Sequence, residues 1–435
     1  MMDRSIQSLN ALEILDSRGN PTLQVAVRLN DGTIGTASIP SGASTGEHEA
    51  KELRDRDHSR FGGLGVCRAV ENVEQKLSAA VIGKDAQYQR EIDQALIDYD
   101  GTSDKSNLGA NAILGVSLAV ARAAASSLDI PLYAYLGGPD QCRLPVPMMN
   151  VINGGKHASN KLAFQEYMIV PHGAPSYREA IRYGAETFRA LRRELERWGM
   201  STGVGDEGGF APDLADDRHA CDLIVAAITK AGYVPGRDIA IALDPAATSF
   251  FSNGLYRLAV GERVNRHALL TMYAEWAQAY PIVSIEDGFA ETDWDGFIAQ
   301  TASLGRSIQI VGDDLYVTNR RFISEGIERK ATNAVLIKPN QIGTLSETIE
   351  AVHLCRSAGW NYVISHRSGE TEDPFIADLS VALGGGQIKA GSVCRGERIA
   401  KYNRLLVIEK ELGDRAEYRS PFNEARDHND PLTTQ

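Results

Sequence analysis

The chain reads as an α/β protein in which an N-terminal α+β cap precedes a parallel β/α barrel, and three observations lead there. Six times in the second half a short apolar run ends in one charged or imidazole side chain, at Asp244, Glu286, Asp313, Lys338, His366 and Lys389. After the first interval these endings recur about every 23 to 28 residues, the length of one strand, one helix and two loops in such a barrel. Stretches of helical periodicity separate the runs, whereas the first part of the chain alternates apolar and polar residues and then turns helical.

The elements follow in order. Residues 14–39 alternate as in LQVAVRL, with Gly19-Asn20-Pro21 and Asn30-Asp31-Gly32 as turns, which predicts an antiparallel meander. Helical spacing over 66–80, 86–99 and 111–127 completes an α+β unit to roughly Gly137, and Pro139, Pro145 and Pro147 mark a boundary. From Val146 onward apolar runs alternate with helical stretches at 177–198, 217–231, 266–279 and 346–358. Two helical stretches in succession before Ile239 predict that the barrel does not open with plain βα units. From Ala416 the sequence ends in the polar, turn-rich SPFNEARDHNDPLTTQ, which predicts a loose tail. The expected division is a cap over 1–137, a barrel over 138–415 and a tail over 416–435.

Composition narrows the function. A chain of 435 residues exceeds a barrel of about 250, so a second domain is expected. Its 43% hydrophobic and 23% charged residues are those of a globular protein. The net charge of −12 and the lack of a Lys/Arg stripe argue against nucleic acid as a partner. The N-terminus lacks the unbroken apolar stretch of an export signal, and the most apolar segment, 110–128, is Ala-rich and interrupted by Arg122, so a buried helix is expected rather than a membrane span. Five scattered cysteines, none in CxxC spacing, suit reduced thiols in a cytoplasm rather than zinc or disulfides.

Residues at the C-terminal ends of barrel strands converge on one mouth. A lone polar residue after a strand is usually the first residue of a loop, but six in succession predict a pocket. Asp244, Glu286 and Asp313 would repel one another without a cation, and oxygen ligands alone favour Mg²⁺. Three loop segments add to this. Ser41–Gly46 (SGASTG) is small enough to close over a ligand or to be a plain mobile turn. Gly205–Phe210 (GDEGGF) sets two carboxylates among glycines, as a ligand loop or a tight turn. His366-Arg367-Ser368-Gly369 could clamp a phosphate or place an Arg on a surface turn.

The segments SGASTGEHEA, SNLGANAILGVSLAVARA, GDEGGFAP, VSIEDG, VGDDLYVTN, NQIGTL, SHRSGETED and IAKYN, in this order from Glu13 to about Glu409, resemble the enolase family. The resemblance implies a cap on a modified (β/α)8 TIM-type barrel that opens ββαα, and the dehydration of 2-phospho-D-glycerate to phosphoenolpyruvate. It implies Asp244, Glu286 and Asp313 as Mg²⁺ ligands, Ser41 on a lid that ligates a second Mg²⁺, Lys338 as general base and Glu207 as general acid. Gln165, Arg367, Ser368 and Lys389 match substrate contacts, with Glu166, His157 and His366 in the same pocket; Glu166, Lys389 and His157 join Lys338 and Glu207 in the catalytic set. A small phosphorylated three-carbon acid is the implied substrate, and a homo-oligomer, dimer or octamer, the implied assembly. Lys338 must be neutral to accept a proton, which nearby positive charge from Mg²⁺ and Lys389 is expected to favour.

Four positions depart from the family pattern: Ser249 stands where an acid is common, Ala390 where IKTG has a hydroxyl, Gly396 where a Ser is usual, and Arg404 in place of the Gln of AKYNQ. They leave a carboxyphosphonoenolpyruvate synthase-like paralogue as the alternative. A non-catalytic binding protein would be free to lose Lys338, Glu207 or a metal carboxylate, and all are present. A racemising or lactonising relative would not need the SHRSGE clamp.

Overall fold

The computed structural model describes residues 3–42, 46–259 and 261–422. Residues 43–45 of the expected lid and 423–435 of the expected tail lie outside the described residues. The cap opens with an antiparallel sheet of three strands, Ile6–Leu15, Pro21–Leu29 and Ile34–Ser38. The first strand begins eight residues before the expected meander, since IQSLNALEIL keeps pairing with the second strand although its alternation is weak. Val25, Val27 and Leu29 on the second strand are fully buried beneath the helix Ala110–Ser127. That helix is long and apolar enough to cross a membrane, and 83% of it is buried within the fold, as expected of a core helix.

Eight strands close the barrel in the cyclic order Val146–Asn153, Glu166–Val170, Ala240–Asp244, Ile282–Glu286, Gln309–Gly312, Ala334–Ile337, Asn361–Ser365 and Gln387–Lys389. The second strand runs antiparallel to both neighbours and the other contacts are parallel. Helices Tyr177–Arg197 and Asp217–Lys230 follow in succession, so the barrel opens ββαα. Side-chain caps fix the starts of both helices, Ser176 accepting from the Glu179 N–H and Asp216 from the His219 N–H. The barrel interior carries a polar layer in which the amides of Gln309 and Gln387 bond reciprocally at 2.7 and 2.9 Å, with Ser284 and Asn361 as further partners.

Cap and barrel are joined by ion pairs as well as apolar contact. Arg122 of the long cap helix forks onto Asp373 at 2.5 and 2.6 Å, and Lys105 reaches Glu347 at 3.0 Å. One expectation changes: the segment from Ala416 is not loose as far as Phe422. Glu417–Tyr418 pairs in parallel with Arg143–Leu144, the Tyr418 hydroxyl donates to the Pro171 carbonyl at 2.9 Å, and Phe422 packs under the barrel among Val146, Met148 and Met168. Two aromatic residues in a polar stretch supply the apolar surface that docks it.

Candidate active site

The six run endings stand where the barrel predicts. Asp244, Glu286 and Lys389 are the last residues of their strands, while Asp313, Lys338 and His366 immediately follow theirs. A cavity at this end is lined by Asp244, Asp313, Lys338, His366 and Lys389, together with His157, Gln165, Glu166, Glu207, Arg367 and Ser368. Glu286 lies at its base, where Lys389 Nζ approaches its two oxygens at 3.0 and 3.1 Å, Asp244 at 2.7 Å and Glu166 at 3.4 Å. Burial alone would lower the Lys389 pKa, but Asp244, Glu166 and Glu286 outweigh it and hold the ammonium well above its ordinary range.

Lys338 ion-pairs with Asp313, whose other oxygen accepts from Gln341 Nε2 at 3.0 Å. Burial pulls the Lys338 pKa down and Asp313 pulls it up, with a net rise. The ion pair with Asp313 thus opposes the neutral form that a lysine base requires, and only added positive charge beside Asp313 would relieve it.

Ser41 is buried outside the lining of this cavity. Its hydroxyl donates to Asp16 at 2.9 Å and its N–H to the Gly369 carbonyl at 2.7 Å.

The loop that carries Glu207 lies against the first barrel strand, the Phe210 N–H bonding the Val151 carbonyl and the Asn153 N–H the Phe210 carbonyl. A Cβ on Gly209 would stand 2.8 Å from Asn153 Oδ1 and 3.1 Å from the Ile152 nitrogen, so only glycine permits this approach. Glu207 Oε2 accepts from Asn150 Nδ2 at 3.3 Å and lies 3.4 Å from His366 Nε2, while His157 Nδ1 sits 3.6 Å from Glu166 and 3.7 Å from Glu207. The two acids diverge. Burial and the Glu207 charge raise Glu166 well above the carboxylate range, whereas Glu207 is held below it against burial, with the permanently charged Arg398 guanidinium among the groups that pull it down. Burial dominates His366 and pushes it down to about 4.

The donor set fits a hard divalent cation. Glu286 is raised well above its ordinary range by burial and then by Asp244, and Asp287 by burial and then by Asp314 and Asp313. Of the three expected ligands only Asp313 falls in a close carboxylate group among the described residues, its oxygen lying within 4.8 Å of oxygens of Asp287 and Asp314, whereas Asp244 and Glu286 are joined through the Lys389 ammonium. Such crowding of buried carboxylates is relieved by positive charge, and oxygen-only ligands select Mg²⁺ over softer metals.

Several site residues were not singled out from sequence. Asp287 accepts the N–H groups of Asp313 and Asp314 at 2.8 and 2.9 Å, and Glu49 of the cap grips Arg367 through both oxygens at 2.9 and 3.1 Å. Asp287 was visible in VSIEDG and Glu49 in GEHEA, but neither ends an apolar run.

Comparison with known proteins agrees with this geometry. The description "Enolase, N-terminal domain" matches residues 6–136, and "Enolase, C-terminal TIM barrel domain" matches 141–426. The chain belongs to the enolase family. It is 62% identical over 420 residues to enolase 1 of Methylococcus capsulatus, covering 96% of this chain and 100% of that protein. It is 57% identical over 421 residues to the enolase of Desulfotalea psychrophila, again covering 96% and 100%. The four departures from the enolase pattern lie outside the cavity lining. Ser249 and Gly396 are exposed, Ala390 is buried behind Lys389, and Arg404 forks onto Asp378 at 2.7 and 2.9 Å on the outer helical layer.

Proposed function

We propose that this chain is an Mg²⁺-dependent carbon–oxygen lyase that dehydrates 2-phospho-D-glycerate to phosphoenolpyruvate. One observation carries the reading: an amine able to act as base, Lys338, and an acid pair, Glu166 and Glu207, line the same cavity as the Arg367–Ser368 clamp. Elimination needs a base and an acid at one site, and a phosphorylated acid needs a cationic anchor. With the four departures outside the cavity, nothing in the pocket favours the paralogue reading.

Removing the proton beside a carboxylate creates a dianion, so compensating charge must already be in place. Asp244, Glu286 and Asp313 would hold Mg²⁺, which when bound supplies that charge and engages the carboxylate now paired with Lys338. Lys389, held as an ammonium, adds a fixed positive charge. A cation held by Asp313 would weaken the pull of that carboxylate on Lys338, and burial, the largest influence on the amine, would then favour its neutral form. Arg367 and Ser368 bind the phosphate, and Gln165 and His157 orient the remaining oxygens.

Hydroxide leaves only if protonated as it departs. Burial and the neighbouring Glu207 charge raise Glu166, which favours one proton shared by the Glu166–Glu207 pair. Negative charge developing on the substrate raises Glu207, which takes the shared proton from Glu166 and passes it to the leaving oxygen, Glu166 being left as the carboxylate. Lys338→Ala should abolish both α-proton exchange and product formation, while Glu207→Gln should keep exchange and lose elimination by about 10²-fold or more. Solvent-deuterium exchange and the ultraviolet absorbance of phosphoenolpyruvate read the two steps. Parallel loss of both in the Glu207 variant would reject this division of roles.

The assembly is proposed as a homo-oligomer. Leu12 and Leu15 are 60% and 58% exposed on an edge strand, and a second copy would cover them. Sedimentation as a monomer would reject it. The free cysteines suit a reducing compartment, and we assign the cytoplasm.

A further inference from the structure

Arg398 has no part in the reaction as described, yet its side chain is fully buried at the junction of three loops of the site. It is the third residue of the helix Gly396–Leu412, whose start aims the side chain back across the barrel mouth. Nη1 donates to the Arg367 carbonyl at 2.5 Å and lies 2.6 Å from His366 Nδ1, while Nη2 donates to the Ser368 carbonyl at 2.6 Å and the Asp206 carbonyl at 3.3 Å. Gly391 leaves room for it, since a Cβ there would stand 2.7 Å from Arg398 Cδ. The guanidinium thus ties the phosphate-clamp loop to the loop that carries Glu207.

The contact with His366 has a chemical consequence. A guanidinium has only donors and keeps its charge at any working pH, so the ring nitrogen facing it must be the acceptor. A neutral imidazole carries one N–H, and with Nδ1 accepting, that proton resides on Nε2, 3.4 Å from Glu207 Oε2. The charged groups acting on His366 are Glu207, Arg398 and, more weakly, Glu370. Of these, only Arg398 lies against Nδ1.

We propose that Arg398 is a positioning residue that fixes His366 in the Nε2–H tautomer, so that the ring presents a donor to Glu207. This rests on the reading of Glu207 as the proton donor of the elimination step. At 3.4 Å Nε2 makes no hydrogen bond here, and Oε2 accepts from Asn150, so an Nε2–H is a buried donor aimed at Oε2 that keeps this oxygen on the acceptor side and leaves Oε1 to face the departing hydroxide. With Nδ1–H instead, two acceptors would face each other at 3.4 Å, and the carboxylate would turn or take up its proton early.

The test uses full-length protein labelled with ¹⁵N-histidine, in which long-range ¹H–¹⁵N correlations separate the two tautomers, the His366 signal being assigned by its loss in His366→Gln. The wild type should show Nε2–H near neutral pH. Arg398→Met should populate Nδ1–H and lower product formation by about tenfold or more, as losing an outer partner typically does, while α-proton exchange stays within about twofold of wild type. Arg398→Lys, which keeps a donor against Nδ1, should restore the Nε2–H signal and most of the elimination. Nδ1–H in the wild type overturns the proposal, and so does an unchanged tautomer in Arg398→Met with exchange and elimination falling together. If the Met variant does not fold, the wild-type tautomer and the Lys variant decide. Loss of exchange in Glu207→Gln would remove the role of Glu207 but leave the tautomer measurement standing.

Discussion

Two buried histidines lie beside carboxylates and are nevertheless held neutral. Burial depresses His157 and His366 more than Glu207 raises them, with His366 at about 4. An unfolded histidine takes a proton near pH 6.5, so His366 favours the unfolded chain between about pH 6.5 and 4, at about 1.4 kcal/mol per pH unit, and His157 acts in the same direction. The stability these groups allow is fully present above the unfolded value and lost as pH falls below it. His366→Gln should therefore show a shallower loss by about one proton, measured by urea unfolding at pH 6.5 and 5; an unchanged slope would mean that the ring titrates normally. Residue identity at the site was legible because strand ends repeat, which placed Asp244, Glu286, Asp313, Lys338, His366 and Lys389 before any coordinates. The pairing of Lys338 with Asp313 was not, since which carboxylate stands nearest is a distance no spacing encodes. Arg398 was not legible, because it acts from the third residue of a helix rather than from a strand end.

Elements join through a few buried charges whose partners are far apart in sequence. Asp373 sits on the barrel, and its carboxyl is raised by burial but more strongly lowered by Arg122 from the cap, with a net fall. The stability from that depressed carboxyl is present above about pH 4 and lost as pH falls further. Arg122→Ala leaves the anion buried without its cation and should cost about 3 kcal/mol at pH 7, with a smaller cost near pH 3, where Asp373 takes up a proton. Equal costs at both pH values, measured by denaturant unfolding, would show that the loss is one of packing. Helices and strands were legible from their periods, and Ala110–Ser127 from its apolar length. The docking of Glu417–Tyr418 and Phe422 was not, since polar neighbours mask two aromatic anchors and the surface they cover is assembled only when the barrel exists.

For the whole molecule, buried carboxylates that repel one another cost stability until a cation reaches them. Mg²⁺ bound to the folded chain alone should add RT ln(1 + [Mg²⁺]/Kd), about 2.7 kcal/mol at a hundredfold excess over Kd. Melting should thus rise with Mg²⁺, and both activity and the added stability should vanish with excess chelator. A melting temperature indifferent to both would detach the carboxylates from metal binding. The two-part architecture was legible from the change of pattern near Gly137, while the antiparallel second strand was not, because apolar runs of either direction look alike. The barrel closes only where Val146 meets Gln387 and Met148 meets Lys389, and the cap's Glu49 reaches Arg367 across most of the chain. During synthesis the cap, with its own sheet and helix, can therefore settle first, while the barrel stays an open ribbon of unpaired edges until nearly the last residue has left the ribosome.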